Sequence, residues 1–413
     1  MGTGRRWRQV VHAAGLADDR GGVRPTIFAE MTALAGRTGA LNLGQGFPDD
    51  DGPATVMQVA RQAITDGRNQ YPPGTGIAPL REAIAAHQSR HYGLDLDPGT
   101  QVAVTNGATE AIAAALLALA GPDDEVLTLE PYYDSYAAVI AMSGARHVTV
   151  PLAPGSHGFT VDASALREAF TDRTAVVLLN TPHNPTGAVL GRAELELVAE
   201  LARAHDAVVV TDEVYEHLTY DGAEHIPIAT LPGMFERTLT ISSAGKTFSV
   251  TGWKVGWACG PADLVTAVVS IKQFLTYTGG APLQPAVAAA LNLETSHGAD
   301  RDWIGRLRAD LAERRDLLLE GLTEAGFDVV RPQGSYFVVG DATAWLDRYG
   351  LPHGAALCRA LPELAGVAAV PVSAFTVPGS RADDELAAAV RFTFTKSRPV
   401  LSGAIQRLVR QAP

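Results

Sequence analysis

Short apolar runs alternate with longer alanine- and leucine-rich stretches along most of the chain, and this alternation constrains the fold most strongly. Several of the apolar runs carry almost no charge, which is typical of strands buried on both faces of a sheet. Helical stretches over 109–119 and 192–205 lie between them. Repeated strand–helix–strand units of this length predict a mostly parallel α/β sheet. The predicted strands are 101–106, 125–130, 147–152, 175–180, 207–214 and 238–243.

The pattern changes near Gly298, which predicts a second, smaller domain. A long amphipathic stretch over 302–325 leads into the short apolar runs FDVV, SYFVVGD, VAAVPV and VRFTF. This order of elements predicts an α+β unit with an antiparallel sheet. The 413 residues are therefore divided into four parts. They are a flexible N-terminal arm (1–24), an N-terminal segment of the small domain (25–50), the large domain (51–298) and the small C-terminal domain (299–413).

Charge and hydropathy exclude several classes of partner. The formal net charge is −12, so non-specific binding to a phosphate backbone or to an anionic membrane surface is not expected. No stretch approaches 18 consecutive apolar residues, and the N-terminus lacks the apolar core and cleavage site of a signal peptide. We expect a cytoplasmic protein without nucleic-acid or membrane partners.

The cysteines and histidines do not predict a disulfide framework or a metal centre. Cys259 and Cys358 lie far apart in apolar segments, and two cysteines cannot form a four-thiolate site. His183, His217 and His225 are scattered without ligand spacing, so no metal is expected.

The segment TISSAGKTFSVTGWKVGW (240–257) follows a predicted strand and contains two lysines, Lys246 and Lys254. A lysine in a loop is most often a solvated surface residue. The aromatic and apolar neighbours of Lys246 are unusual, because a desolvated lysine loses its proton readily and can form a Schiff base with a carbonyl. Ser243 and Lys254 would provide donors to a nearby phosphate.

Asp212 and Tyr215 follow the predicted strand in AVVVTDEVYEHL. Ligands of open α/β sheets bind at the carboxyl ends of the strands, where Asp212 lies. A buried carboxylate needs a cationic partner, and a protonated pyridine nitrogen is one such partner. Tyr215 is close enough in sequence to reach a phenolic oxygen of the same ring. The alternative is that Asp212 caps a helix.

Two further loops follow predicted strands. In NTPHNPTG, the closely spaced X-Pro steps indicate an unusual backbone path with a possible cis bond that would direct Asn184 into a cleft, although an ordinary turn is the alternative. In TNGATEA, the backbone N–H groups of Gly107, Ala108 and Thr109 open a helix and would bind a phosphate. This loop matches neither a dinucleotide-binding nor a Walker pattern.

An aromatic residue and an arginine complete the candidate site. Tyr133 in EPYYDSY can stack on a flat heteroaromatic ring, or it can be a core residue. Arg391 lies in the alternating segment VRFTF, where a solvated edge charge is the ordinary interpretation. In a cleft, its guanidinium would bind a carboxylate in a bidentate manner.

Taken together and in this order, the motifs resemble a known family. The chain is similar to fold-type I, pyridoxal-phosphate-dependent aminotransferases of class I/II, from about Pro25 to Arg407. The subgroup it resembles contains kynurenine/glutamine transaminases, methionine aminotransferases and N-succinyldiaminopimelate aminotransferases. The motifs are LNLGQGFPD, NQYPPGTG, EPYYDSY, NTPHNPTG, TDEVYEHL, SSAGKTFSVTGWKVGW, PQGSYF and VRFTF. The resemblance implies a mostly parallel seven-stranded sheet with a small α+β domain, a homodimer, and bound pyridoxal 5'-phosphate.

The resemblance also assigns roles to residues. Lys246, Asp212 and Tyr215 would be catalytic: Lys246 as the Schiff-base lysine and proton carrier, Asp212 as the partner of the pyridinium nitrogen. Arg391 would bind the substrate carboxylate, helped by Gly46 and Asn184, with Phe28 nearby. The residues implied in holding the cofactor are Gly107, Ala108, Thr109, Tyr133, Asn184, Asp212, Tyr215, Ser243, Lys246, Lys254 and, from the partner subunit, the residue equivalent to Tyr71.

The implied activity is transfer of the amino group of an L-amino acid to a 2-oxo acid, in a ping-pong mechanism through a Lys246 aldimine. A β-eliminating C–S lyase remains an alternative, as do an oxidase or a decarboxylase, because fold does not fix the reaction. A non-catalytic domain that senses amino acids is the alternative from another class. The short segment before the fold leaves no room for the DNA-binding helices such regulators carry.

Three positions depart from the kynurenine transaminases. Phe28 stands where those enzymes have a tryptophan, Thr109 where they have a tyrosine, and Gly279 with Gly280 where they have bulky side chains. These departures indicate a roomier or differently polar side-chain pocket, which puts an aromatic preference in doubt and is compatible with a longer polar substrate. The glycines alternatively provide only loop flexibility.

Overall fold

The computed structural model describes residues 6–18, 20, 22–155 and 158–413. The sequence alternates between strands and helices as expected. The strands are β1 (Leu41–Asn42), β2 (Val102–Thr105), β3 (Glu125–Glu130), β4 (Arg146–Gly155), β5 (Gly158–Val161), β6 (Thr174–Asn180), β7 (Val208–Asp212), β8 (Thr238–Ser243), β9 (Gly256–Cys259), β10 (Asp328–Val330), β11 (Phe337–Asp341), β12 (Val367–Ala368), β13 (Val370–Pro371) and β14 (Ala389–Thr393).

The helices cover the faces and ends of the sheets. They are α1 (Arg6–Ala13), α2 (Ile27–Thr38), α3 (Ala54–Thr65), α4 (Ala78–Tyr92), α5 (Gly107–Leu119), α6 (Ser135–Ser143), α7 (Ala163–Ala169), α8 (Arg192–Ala204), α9 (Ala244–Thr247), α10 (Ala262–Leu275), α11 (Gln284–Leu291), α12 (Trp303–Glu324), α13 (Thr343–Tyr349), α14 (Gly354–Leu364), α15 (Arg381–Glu385) and α16 (Arg398–Val409).

The large sheet has the strand order β2-β9-β8-β7-β6-β3-β4-β5. Strands β4, β3, β6, β7 and β8 pair in parallel, whereas β9 is antiparallel to both of its neighbours. The mostly parallel sheet predicted from the sequence is therefore confirmed. The short strand β5 adds an eighth member by pairing with the extended end of β4.

Helices bury this sheet on both faces, which explains its nearly uncharged strands. Every residue of β3 and β8 is buried. On one face α5 and α6 pack over residues such as Val126 and Ile241. On the other face α7 and α8 pack over residues such as Leu127 and Val209. The apolar runs follow from this two-sided burial.

The small domain contains an antiparallel sheet of order β10-β11-β14-β13, as its sequence pattern predicts. Arg391 pairs in register with Val339 on β11 and with Val370 on β13. The helices α12 and α16 pack beside this sheet. The register places Arg391 on a central strand.

Residues 25–50 contact the small domain, although they lie at the other end of the sequence. Strand β1 pairs in parallel with β12, and Met31 and Leu43 belong to the small-domain core. We propose the domain division expected from the sequence on this basis. In the expected arm (1–24), α1 packs against α6, whereas residues 1–5, 19 and 21 lie outside the described part. None of the helices in the described residues is long and apolar enough to cross a membrane.

Candidate active site

A cavity of about 250 Å³ lies at the carboxyl ends of β2, β6, β7 and β8, beneath the small domain. Ligands of open α/β sheets bind at this edge. Every site residue predicted from the sequence lines the cavity except Tyr71. These residues are Phe28, Gly46, Gly107, Ala108, Thr109, Tyr133, Asn184, Asp212, Tyr215, Ser243, Lys246, Lys254 and Arg391. Residues separated by hundreds of positions therefore meet in one site.

Lys246 lies on the short helix α9, directly after β8. Its Nζ is 5.8 Å from the centre of the Tyr215 ring and 5.5 Å from that of Tyr336. In the described residues, no carboxylate forms an ion pair with Lys246. The amine therefore faces the cavity between two aromatic rings, available to react with a ligand.

Asp212 ends β7 and is only 5% exposed. Its Oδ2 accepts a hydrogen bond of 2.7 Å from the hydroxyl of Tyr136, and its Oδ1 accepts one of 3.3 Å from the backbone N–H of Val214. The second bond turns the chain, which is why the strand ends at Asp212 and not at Val214 as predicted. Burial raises the pKa of Asp212 to about 6, against the opposing effect of these bonds and of Lys246. The carboxylate thus lacks a close cationic partner.

The amino end of α5 forms an anion-binding cradle in the cavity. This helix begins at Gly107, two residues earlier than predicted, and Gly107 has a φ of +75°. Lys254 Nζ donates to Thr109 Oγ1 at 3.3 Å. Burial, and next the charge of Lys246, lower the pKa of Lys254. Two ammonium groups and the free N–H groups of a helix end therefore face the same space.

Two glycines make this close approach possible. A Cβ added to Gly107 would lie 2.9 Å from Lys254 Nζ, and one added to Gly256 would lie 2.6 Å from the backbone nitrogen of Ala108. Any larger side chain would push β9 away from α5. The glycines therefore bring the lysine and the helix end together.

Arg391 projects from β14 into the opposite end of the cavity and is 1% exposed. It donates to Asn184 Oδ1 at 2.9 Å and to the carbonyl of Gly44 at 2.8 Å, and its Nε has no partner. Its guanidinium lies 4.0 Å from the centre of the Phe337 ring. Burial lowers the pKa of Arg391 to about 10. Within the described residues no carboxylate pairs with this buried cation, so it is suited to bind an acidic ligand.

The loop NTPHNPTG positions Asn184. The peptide bonds before Pro182 and Pro185 are cis, as the sequence indicated. The backbone N–H of Asn184 donates to Asn180 Oδ1 at 2.8 Å. This bond holds the loop so that the Asn184 side chain reaches Arg391.

Tyr215 is buried in an aromatic cluster beside Lys246. Its ring contacts that of Tyr336 edge to face, with the centres 5.1 Å apart. Burial, and next the proximity of Tyr336, raise the pKa of Tyr215. The hydroxyl of Tyr336 donates to the carbonyl of Gly46, which links this cluster to the N-terminal segment.

Sequence reasoning did not select Tyr136, Asn180, Tyr336 or Phe337. The signal for Tyr136 was its position three residues after Tyr133, on the helix that follows β3. The motif PQGSYF contains Tyr336 and Phe337, but nothing within it assigns them a role. The contacts of Tyr136 with Asp212 and of Phe337 with Arg391 arise only in the tertiary structure.

The structure shows the surroundings of Gly279, Gly280 and Phe28, three of the positions at which the sequence departs from the kynurenine transaminases. A Cβ added to Gly279 would lie 1.8 Å from Asn106 Oδ1, and Gly280 has a φ of +65°. A larger residue at position 279 would have to displace the Asn106 side chain, whereas at position 280 the left-handed backbone itself favours glycine. Phe28 lies beside Phe375, with ring centres 5.9 Å apart.

Tyr71 lies outside the cavity and is 83% exposed. Its ring packs edge to face on Tyr277, with the centres 5.7 Å apart. Phe274, three residues before Tyr277 in the sequence, is 88% exposed. Large exposed aromatic rings of this kind are typical of an interaction surface.

Comparison with known proteins identifies relatives along nearly the whole chain. The family model for aminotransferase class I and II matches residues 38–408. The chain is 55% identical to a probable N-succinyldiaminopimelate aminotransferase of Mycobacterium tuberculosis, over 93% of this chain and 95% of that protein. It is 36% identical to kynurenine–oxoglutarate transaminase 3 of Mus musculus, over 93% and 87%. A solved structure of the Mycobacterium tuberculosis N-succinyldiaminopimelate aminotransferase superposes with a TM-score of 0.88 at 55% identity, over 94% of this chain and 97% of that one.

Proposed function

Because the chain belongs to the class I and II aminotransferases, we propose that it uses pyridoxal 5'-phosphate to move an amino group from an L-amino acid to a 2-oxo acid. Membership of the family makes the chain an aminotransferase and confirms the resemblance seen in its motifs. The cofactor, the ping-pong order of reaction, the individual residue roles and the cytoplasmic homodimer belong to the proposal.

The phosphate of the cofactor fits the cradle at the start of α5. The N–H groups of Gly107, Ala108 and Thr109 would bind it, together with the ammonium of Lys254 and the hydroxyl of Ser243. The crowding at Gly107 leaves the lysine and the helix end within reach of one anion. Burial, and next the charge of Lys246, lower the pKa of Lys254, and a bound anion would offset the repulsion between the two lysines.

The ring of the cofactor fits between Tyr133 and the end of β7. The buried carboxylate of Asp212 would pair with a protonated ring nitrogen, which would lower the pKa of Asp212 from its raised value. Tyr215 and Asn184 would donate to the phenolic oxygen, and Tyr133 would stack on the ring face.

The chain's own residues then position and move protons. Pyridoxal phosphate, when bound, supplies an aldehyde that can carry the amino group from the first substrate to the second, and a ring that withdraws electrons during the transfer. Lys246 Nζ would take the proton from the substrate α-carbon and deliver it to the carbon of the cofactor that had carried the aldehyde. The rings of Tyr215 and Tyr336 would restrict water around this amine.

Arg391 would fix the orientation of the substrate. Its unpaired, buried guanidinium would bind the α-carboxylate, which would leave the α-carbon beside Lys246. Asn184 already holds one end of the guanidinium, so the fork is oriented before substrate binds. The same geometry serves both the amino acid and the 2-oxo acid, because both carry this carboxylate.

The substrate we propose is an N-succinylated diamino acid. The relative at 55% identity is named for N-succinyldiaminopimelate, and the kynurenine relative is more distant at 36%. The departures at Phe28 and Thr109 also favour a long, polar side chain over an aromatic one. The acceptor would be a 2-oxo acid such as 2-oxoglutarate.

We propose a homodimer with shared active sites. Tyr71 and Phe274 are both largely exposed in the single chain, and large exposed rings are typical of a surface that a second copy covers. In the dimer, Tyr71 would reach the phosphate bound by the partner.

The observation that carries the proposed function is the meeting of Lys246, Asp212 and Arg391 in one buried cavity. A steady-state assay tests it. The enzyme is incubated with 2-oxoglutarate and each of N-succinyldiaminopimelate, kynurenine, methionine and aspartate, and glutamate formation is measured. We expect the largest kcat/KM for N-succinyldiaminopimelate; equal or higher values for kynurenine would contradict this choice of substrate.

A further inference from the structure

Three histidines meet outside the cofactor cavity, and none of them lines it. His87 and His91 lie on α4, four residues apart and therefore on one face of the helix. His217 lies in the turn that follows β7. His217 and His225 gave no ligand spacing in the sequence, and the pair on α4 is the signal that could have indicated this cluster.

The three imidazoles form a compact triangle. The ring centres are 4.5 Å apart for His87 and His91, 4.9 Å for His87 and His217, and 4.8 Å for His91 and His217. One ring nitrogen can be chosen from each so that all three lie within 4.8 Å of one another. The Nε2 atoms of His87 and His217 are only 2.7 Å apart.

This arrangement resembles a set of metal ligands more than a hydrogen-bond network. Two nitrogens bound to one tetrahedral zinc lie about 3.4 Å apart, so His87 and His217 would need to separate by less than about 1 Å. His87 is 2% exposed, and its Nδ1 has no hydrogen-bond partner among the described residues. A buried imidazole with one nitrogen unpartnered and the other facing only a second imidazole is an unusual arrangement for a purely structural residue.

The surroundings allow an ion to reach the cluster. His87 is 2% exposed and His217 is 9% exposed, so two of the three imidazoles are largely shielded from bulk water. His91 and His217 line a second cavity of about 600 Å³, which opens to solvent. A carboxylate oxygen of Glu294 lies 2.9 Å from His91 Nε2, where it can orient the ring, and 3.3 Å from Arg90, whose charge it offsets.

We propose that His87, His91 and His217 bind a divalent transition-metal ion, with zinc as the best match to three imidazoles. Water from the second cavity would occupy the fourth position. The ion would tie α4 to the segment that directly follows Asp212, the last residue of β7, and that carries Tyr215. It would therefore stabilise the position of two residues of the cofactor site without contacting the substrate.

Zinc titration of the cofactor-loaded enzyme tests this proposal. The enzyme is first treated with a chelator, and bound zinc is then counted after gel filtration while the melting temperature is followed. We expect about one zinc per chain and a melting temperature that rises by a few degrees. A lack of saturable zinc binding by the wild-type enzyme would overturn the proposal.

His91→Gln is the informative variant, because His91 is partly exposed and its replacement leaves the core intact. We expect it to lose zinc binding at least tenfold in affinity and to lose the rise in melting temperature. His297→Gln, at an exposed position that provides none of the three proposed ligands, is the matched control and should bind zinc as the wild type does. Unchanged zinc binding by His91→Gln would place the ion elsewhere, for example at the cofactor, and would contradict the proposal.

Cobalt gives a second readout that does not depend on stability. Tetrahedral cobalt bound to imidazoles absorbs visible light more strongly than hydrated cobalt. We expect this absorbance in the wild type and in His297→Gln, and its loss in His91→Gln and His217→Asn. An equal cobalt spectrum in all four proteins would also overturn the assignment.

Discussion

The hydroxyl of Tyr136 donates a hydrogen bond of 2.7 Å to Oδ2 of Asp212, and both side chains are buried. Tyr136 belongs to α6 and Asp212 to β7, so the bond joins two elements that the sequence does not connect. A hydrogen bond to the ionised carboxylate favours that form. Tyr136 therefore helps Asp212 to stay charged in a site that otherwise favours its protonation.

This relationship predicts a pH dependence of stability in the cofactor-free protein. The pKa of Asp212 is about 6 in the fold, above that of an unfolded aspartate, so its protonation stabilises the fold at low pH. This contribution, roughly 3 kcal/mol, is complete below about pH 4 and is lost as the pH rises through 6. Asn does not titrate, so the difference in unfolding free energy between wild type and Asp212→Asn should change by this amount in urea titrations between pH 4 and 7. Tyr136→Phe removes a hydrogen bond to the ionised carboxylate and should raise the pKa of Asp212 further, so the stabilisation by protonated Asp212 should persist to higher pH. A difference independent of pH would contradict the assignment.

Replacing Lys246 should abolish turnover and covalent capture of the cofactor. The sequence contains four lysines, Lys246, Lys254, Lys272 and Lys396, so peptide mapping after borohydride reduction is unambiguous. We expect the cofactor on Lys246 in the wild type and on no lysine in Lys246→Ala. Lys254→Arg keeps the cation at the phosphate and should still be labelled at Lys246. Labelling of Lys254 in the wild type would contradict this assignment and would make Lys254, not Lys246, the Schiff-base lysine.

Removing Arg391 should weaken the binding of carboxylate substrates. Losing one partner of a buried charge-assisted pair costs roughly 2 to 5 kcal/mol, so the dissociation constant of an amino acid should rise at least 30-fold or so. Binding of an amine without a carboxylate should change little in Arg391→Ala. Arg398→Ala removes a half-exposed arginine on the surface and serves as the control. Equal losses for the amine and the amino acid would indicate that Arg391 supports the fold and not the substrate.

Subunit mixing tests the role proposed for Tyr71. Tyr71→Ala and Lys246→Ala homodimers should each be impaired, since each damages both sites. If Tyr71 acts across the interface, a mixed dimer has one doubly damaged and one intact site, and the mixture should recover up to about a quarter of wild-type activity. The same experiment with Arg391→Ala and Lys246→Ala should give no recovery, because those side chains line one cavity of one chain.

Much of this architecture could be predicted because local sequence and tertiary burial agree. Strands β3 and β8 have the predicted bounds, since each is a short apolar run buried on both faces. The cavity residues could be predicted because the ends of adjacent parallel strands must meet. Strand β7 is shorter than its apolar pattern, because a side chain at its end, Asp212, turns the backbone.

The missed features all depend on contacts between distant segments. Tyr136 acquires its role only when α6 packs beside β7, and His87 meets His217 across 130 residues. Gly279 looked like an open pocket position, whereas Asn106 occupies the space that a side chain would need. Such contacts leave no periodic signal in a single sequence.

The most direct test of the central claim is a single-turnover experiment. The cofactor-loaded enzyme is mixed with N-succinyldiaminopimelate in the absence of any 2-oxo acid, and its absorbance is followed by stopped flow. We predict stoichiometric conversion of the pyridoxal form to the pyridoxamine form, faster than with kynurenine or methionine, and reversal when 2-oxoglutarate is added. Persistence of the pyridoxal form with every donor in the panel, or release of ammonia in place of conversion, would contradict an aminotransferase of this specificity.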